Sequence, residues 1–255
     1  MNKIWIFSIL LLLALQTPGT TAVQNKYEGL TADEILDRVD DLYRGKSSQG
    51  SMTMSIKTEH WSRELTMEFW SLDKDKSLYR ILAPKKDKGT ATLKNGTDIW
   101  NYLPKVKRTI KLPSSMMSQS WMGSHFTNDD LVKDSRFADD YTFEKTYEGK
   151  RDGRNIYEIT CVPKENAPVV WGKVVVIVEI STYLPLEIFY YDESLKLSRT
   201  MYFSDVKQLD DRELPSVVKI VPADKPKETT IVSYSDVQFD VPIDASFFSL
   251  RNLEK

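Results

Sequence analysis

The chain has 255 residues, 35 of them basic and 37 acidic, with a net charge of −2, two histidines and one cysteine. This balance excludes the strongly basic footprint of a nucleic-acid binder. A lone cysteine excludes an intramolecular disulfide, so the core must hold the fold, and the poverty in His and Cys excludes a closed nitrogen–sulfur zinc site.

Residues 1–22 have the three-part pattern of a secretory signal. Lys3 is the positive charge, Ile4 to Leu15 is almost entirely apolar, and Thr20-Thr21-Ala22 offers small residues for a peptidase. The apolar run is about a dozen residues, too short to span a bilayer comfortably, although an uncleaved anchor is the competing reading. Cleavage near Ala22 leaves 233 residues (255 − 22) with a charge of about −3 (34 − 37, without Lys3), expected to form a single domain over 23–255. No cysteine follows the signal to accept a lipid, so the mature protein is expected free in the periplasm.

Thr31 with Glu34 three residues on has capping-box spacing. Ile35, Leu36, Val39, Leu42 and Tyr43 follow at helical spacing and Gly45 supplies a stop. After Gly50 the period changes to two, in Met52, Met54 and Ile56, then Leu65, Met67 and Phe69, then Leu78 to Leu82. Asn95-Gly96 separates two strand-like runs, a hairpin signal in which both residues accept positive φ. Pro104-Lys105 marks the next turn, before Val106 to Leu112. Residues 113–138 break this rhythm and read as an insertion of short helices and loop. Strands then resume: 141–147, 155–162, the continuous apolar run Val174 to Val178, 186–191, 195–203, 217–221 and 228–239. With about eleven strands and no helix between successive ones, a parallel α/β sheet is excluded and an antiparallel barrel or strongly curved sheet favoured.

Catalytic chemistry is not visible. His60 sits at a hairpin tip and His125 in the insertion, without metal-ligand spacing. Gly123-Ser124-His125 has Phe126 where a nucleophile elbow needs its second glycine. No loop is built to cradle phosphate and no carboxylate pair stands out. We therefore expect no enzyme, no metal and no cofactor.

The apolar positions are more distinctive. Met52, Met54, Met67, Met116, Met117 and Met122 accompany Phe69, Trp100, Trp121 and Phe126. Methionine is soft and suits surfaces that accept variable apolar partners; simple core filling is the plainer reading for the strand methionines. Trp100 and Tyr102 suit either sheet packing or a carbohydrate platform. In the insertion, large apolar residues lie among small polar ones, as in a mobile cover over a hydrophobic cavity. Lys105, Lys107, Arg108 and Lys111, with Lys85, Lys86 and Lys88, form a basic ladder: a solvated edge, or a dock for an anionic lipid surface or acidic partner.

Two stretches, Trp100-Asn101-Tyr102-Leu103-Pro104-Lys105-Val106-Lys107-Arg108-Thr109-Ile110 and Trp121-Met122-Gly123-Ser124-His125-Phe126-Thr127-Asn128-Asp129-Asp130-Leu131, resemble the LolA-like outer-membrane lipoprotein-sorting family in its longer bacterial branch. The resemblance implies a half-open antiparallel β-barrel wrapped around short helices, with an acyl-binding cavity under a helical lid. It implies a carrier that moves lipoprotein or other lipid acyl chains toward the outer membrane, with an inner-membrane exporter and an outer-membrane acceptor as partners, transient membrane contact and a monomeric state. The expected cavity wall is Met52, Met54, Met67, Phe69, Trp100 and Tyr102; the expected lid is Met116, Met117, Trp121, Met122 and Phe126. Arg63 and Arg80 are candidates for a cavity arginine. The rival is an envelope scaffold or accessory that partners an inner-membrane lipid exporter through the basic hairpin. On the carrier reading, wall and lid enclose empty apolar space.

Overall fold

Alternation of apolar and polar residues along most of the chain dictates strands with one face buried, and the computed structural model assembles them into one sheet. It describes residues 29–133 and 140–255. The expected signal, 1–22, lies outside the described residues, as do 134–138 of the insertion. Residues 31–255 form one compact unit.

Helix α1 (Ala32–Arg44) starts on the reciprocal Thr31–Glu34 capping box and ends at Gly45, which has φ 60°. Thirteen strands follow, one at each of the runs named above, against the expected total of about eleven: β1 (Ser47–Lys57), β2 (Ser62–Leu72), β3 (Lys76–Ala83), β4 (Ala91–Asn95), β5 (Asp98–Leu103) and β6 (Arg108–Lys111) before the insertion, then β7 (Tyr141–Arg151), β8 (Arg154–Pro163), β9 (Lys173–Glu179), β10 (Pro185–Tyr191), β11 (Leu197–Leu209), β12 (Arg212–Pro222) and β13 (Thr229–Phe239). The insertion carries a 3-10 turn (Ser114–Met116) and α2 (Asn128–Lys133), and α3 (Leu250–Leu253) lies near the C-terminus.

The strand order is β6-β5-β4-β3-β2-β1-β13-β12-β11-β10-β9-β8-β7. Two meanders are thus joined where β1 pairs with β13, and all pairings are antiparallel. The sheet does not close; β6 and β7 are its edges. At the junction β1 has a bulge between Gln49 and Ser51, a device that bends and twists a strand. Gly50 is required there, because a Cβ would stand 3.0 Å from the Val237 Cα and 3.1 Å from the Phe69 ring. The sheet reaches round α1, which lies against both β7 and β12. Tyr43 of α1 donates to the Pro215 carbonyl at 3.3 Å, and Arg212 donates to the Asp41 carbonyl at 2.6 Å.

The β4–β5 turn differs from expectation. Asn95 still pairs with Asp98, so Gly96 and Thr97 are the turn residues and Gly96 alone takes positive φ, 63°. This is the type II′ arrangement, with glycine first. Asp152-Gly153 supplies the turn with two positive φ values, 51° and 85°. Val174 to Val178 is buried throughout, as expected of a strand covered on both sides.

Candidate functional site

The inner face of β1–β3 and β11–β13 is covered by α1 and the insertion. Along β1 and β2, period two places Met52, Met54 and Ile56 beside Leu65, Met67 and Phe69, and Met52 pairs directly with Met67. Met54 and Met67 are fully buried, Met52 is 3% exposed and Phe69 is 8% exposed.

The insertion folds back on itself above this wall. Met122 and Gly123 both take positive φ, 51° and 77°, which reverses the chain so that Ser120 bridges Thr127. The reversal brings Trp121 and Phe126 together, ring centroids 6.4 Å apart and edge to face. Trp121 is 4% exposed. Its ring meets Tyr79 at 5.2 Å, and its indole N–H donates to Thr92 Oγ1 at 3.1 Å. Met122, Phe126 and Leu131 join the cluster formed with Met52, Met54 and Met67. Met116 and Met117, half-buried, pack on Ile99 and Leu112 instead.

Two expected wall residues lie elsewhere. Trp100 and Tyr102 alternate with Ile99, so they face the other side of the sheet, where they pack with Leu93, Phe248 and Leu253. Their role there is to seat the C-terminal segment.

Among the described residues, side chains of Trp121 and Phe126 lie where empty space was expected between wall and lid. Both pack on the cluster that contains the wall methionines. A cavity of about 130 Å³ remains beside α1, lined by Tyr43, Phe69, Tyr79, Leu214, Tyr234 and Phe239 among others. That is slightly less than a cavity that holds benzene.

Polar contacts pin the lid. Thr127 and Asp130 cap α2 reciprocally: the Thr127 N–H donates to Asp130 Oδ2 at 2.7 Å and the Asp130 N–H to Thr127 Oγ1 at 3.2 Å. The same carboxylate accepts two hydrogen bonds from Arg199 of β11, at 2.6 and 2.8 Å, and Arg199 also donates to the His125 carbonyl at 2.7 Å. The guanidinium, 4% exposed, lies against the rings of both Trp171 and Tyr190, at 4.5 and 4.3 Å, which also touch each other at 5.2 Å. Burial is the largest single influence and opposes its charge; the Asp130 carboxylate and Tyr190 together outweigh it, and the net shift is further toward the protonated form. His125 adds a second clasp through Nδ1 to Thr230 Oγ1 at 2.8 Å and Nε2 to Glu228 at 3.2 Å. The His125 hydrogen bond, with help from the Glu59 N–H and Lys225, holds the Glu228 carboxyl below its ordinary range against some opposing desolvation.

Arg199 is the site residue that sequence reasoning missed. The available signal was a charge in the apolar phase of a strand, two residues before Met201. Of the two candidate cavity arginines, Arg63 pairs with Asp87 at 3.1 Å and donates to the Met122 carbonyl at 3.3 Å. Arg80 is on the outer face, paired with Glu68 at 3.3 Å beneath α3.

Lys105, Lys107 and Arg108 are exposed on the β5–β6 hairpin. Lys111 is set apart from them: it pairs with Asp98 at 2.7 Å and lies 5.5 Å from the centre of the Trp100 ring. Among the described residues no three His, Cys, Asp or Glu side chains form a metal-holding group, and no helix is long and apolar enough to cross a membrane.

A family model described only as "uncharacterized protein" matches residues 73–255, well over half the chain. No curated protein matches the sequence. Among solved structures, a domain from Vibrio parahaemolyticus described as outer membrane lipoprotein-sorting is 25% identical, covering 87% of this chain and 97% of its own with a TM-score of 0.74. A LolA superfamily protein from Nitrosomonas europaea is 22% identical over 88% of this chain and 99% of its own, TM-score 0.75. A DUF1329 family protein from Desulfovibrio piger is 23% identical over 86% and 96%, TM-score 0.77.

Proposed function

The chain belongs to the LolA-like family, and from that premise we propose that it is a periplasmic carrier that shelters the acyl chains of lipoproteins or other lipids on their way toward the outer membrane. The fold alone would not assign this role. The observation that carries it is the nature of the cover: the methionine wall is closed by side chains of an insertion with little regular structure, held by a few discrete polar clasps. Trp121 and Phe126 fill the groove as a hydrocarbon would. A cargo chain entering there replaces one apolar occupant by another, so opening costs mainly the clasps and the ordering of the segment.

The 130 Å³ cavity beside α1 is too small for an acyl chain, so on this reading cargo enters by displacing the lid. Met52, Met54, Met67 and Phe69 then form the exposed wall, with Met116, Met117, Trp121, Met122 and Phe126 as the moving cover. Burial contributes roughly 0.8 kcal/mol per CH₂, so one acyl chain binds usefully and reversibly. Reversible binding is what a carrier that must unload requires. The protein performs no chemistry in this scheme, takes no cofactor, and works as a monomer between an inner-membrane exporter and an outer-membrane acceptor.

Native mass spectrometry and lipid extraction of protein purified from its own host test the proposal. Co-purifying acylated molecules, and saturable binding of a fluorescent fatty-acyl probe, are expected. Reproducible absence of both would remove the carrier reading. The scaffold reading would then stand, in which the exposed basic hairpin recruits an exporter. Loss of function on charge reversal at Lys105, Lys107 and Arg108, with none on polar substitution of Met116 and Trp121, would favour it.

A further inference from the structure

The sheet ends unevenly. At the end where β2 begins and β5 turns into β6, three loops adjoin. Arg63, next to the β1–β2 turn, pairs with Asp87 in the β3–β4 loop. Gly89 of that loop lies against Pro104 of the β5–β6 turn, a Cβ there being 3.5 Å from the proline ring. Trp61 of the first turn approaches the lid at Gly123, 3.9 Å from where its Cβ would stand.

The two loops 84–89 and 104–108 carry six exposed cations, Lys85, Lys86, Lys88, Lys105, Lys107 and Arg108. None has an ion pair among the described residues. The one acid between them, Asp87, is already matched by Arg63. Yet the whole chain has a net charge of −2, so the concentration is local. Large apolar side chains are exposed at the same end: Val106 at 59%, Trp61 at 45% and Leu103 at 38%. Tryptophan and short apolar protrusions ringed by Lys and Arg suit the headgroup–acyl boundary of a bilayer, where the ring partitions into the interface and the cations meet anionic headgroups. An acidic protein partner would match the charge without needing Val106 and Trp61 in water.

We infer that this end of the sheet docks on an anionic phospholipid surface, with Val106, Leu103 and Trp61 entering the interface and the six cations meeting the headgroups. Trp61 and Arg63 touch the lid at its Met122-Gly123 reversal, so docking places the lid's turn against the membrane that supplies or receives cargo. The inference names the contact surface of the carrier proposed above and in that sense rests on it. Its test reads docking alone, and acyl-probe binding reads carriage, so either can fail without the other.

The experiment is flotation of the protein from residue 23 onward with vesicles of phosphatidylcholine alone and of phosphatidylcholine mixed with phosphatidylglycerol, in low and high salt. Binding is expected only with phosphatidylglycerol and should weaken with salt. Lys105→Gln/Lys107→Gln/Arg108→Gln should weaken it on the order of a hundredfold, about fivefold per charge. Val106→Asp, on an exposed turn, should lower binding with no change in the unfolding temperature. Equal binding to both vesicle types, binding indifferent to these substitutions in folded protein, or no vesicle binding at all would overturn the inference; the last result would point to an acidic protein as the occupant.

Discussion

Arg199 of β11 and Asp130 of α2 are joined by two hydrogen bonds, Nη2 to Oδ1 at 2.6 Å and Nη1 to Oδ2 at 2.8 Å, across 69 residues of sequence. The pair links the lid to the second meander of the sheet, while Trp121 packs on the first. The lid therefore bridges both halves, with Trp121 packed on the first and the Arg199 and His125 clasps on the second.

Breaking that pair on one side leaves a buried charge without its partner. Asp130→Asn should lower stability by about 3–5 kcal/mol, whereas replacing both residues by apolar ones of similar volume should cost far less. Denaturant unfolding of the two single variants and the double checks this. Amide exchange across residues 114–131 should rise in Asp130→Asn, because the lid's backbone hydrogen bonds run within the segment rather than to the sheet and open with it.

Trp121 fills the groove that cargo is proposed to enter. Trp121→Ala should cost about 3–5 kcal/mol through the cavity that it leaves. The same variant should bind a fluorescent acyl probe more tightly than the parent, since the occupant that competes with the probe is gone. If Trp121→Ala loses stability and also loses probe binding, the indole belongs to the cargo site itself rather than closing it.

The second clasp predicts a pH response. Glu228 has its pKa lowered in the folded chain by the His125 hydrogen bond. A depressed carboxyl adds stability that is fully present above its unfolded value, about 4.3, and is lost as pH falls through the lower folded value. Glu228→Gln should thus be less stable than the parent at neutral pH, and the gap should narrow as pH falls below about 4. Thermal melts of both proteins between neutral and acidic pH give the comparison. A gap independent of pH would mean that the carboxylate's charge contributes nothing to the clasp.

The architecture was legible where periodicity and turn chemistry agree. Thr31, Glu34 and Gly45 bound α1 as read, because capping is local. The strand runs were legible because alternation at Met52, Met54 and Ile56 fixes which face is buried. What sequence could not give was the assignment of faces between strands. Trp100 looks like a companion of Phe69, but register and pleat put it on the opposite side, against α3. Nor could it give Arg199 and Asp130, whose meeting depends on how a non-repetitive insertion lands on a strand far along the chain. The filled groove was hidden for the same reason: Met122 and Gly123 turn the lid inward, and a left-handed reversal at Met122 has no strong signature.

Cys161 offers a way to separate lid opening from unfolding of the sheet. It is fully buried on β8, opposite Phe143 on β7 and Val174 on β9, and it takes no part in the lid cluster. Burial pushes its thiol well above the usual range, so it is unreactive in the native state twice over, by access and by protonation. Iodoacetamide labelling should therefore follow global unfolding. In the parent and in Asp130→Asn alike, amide exchange in the lid should report a smaller opening free energy than Cys161 labelling does, because local opening needs less free energy than exposing β8. If both probes reported the same opening free energy, the lid could not leave the groove without the sheet coming apart, and a carrier built this way would have no entry step.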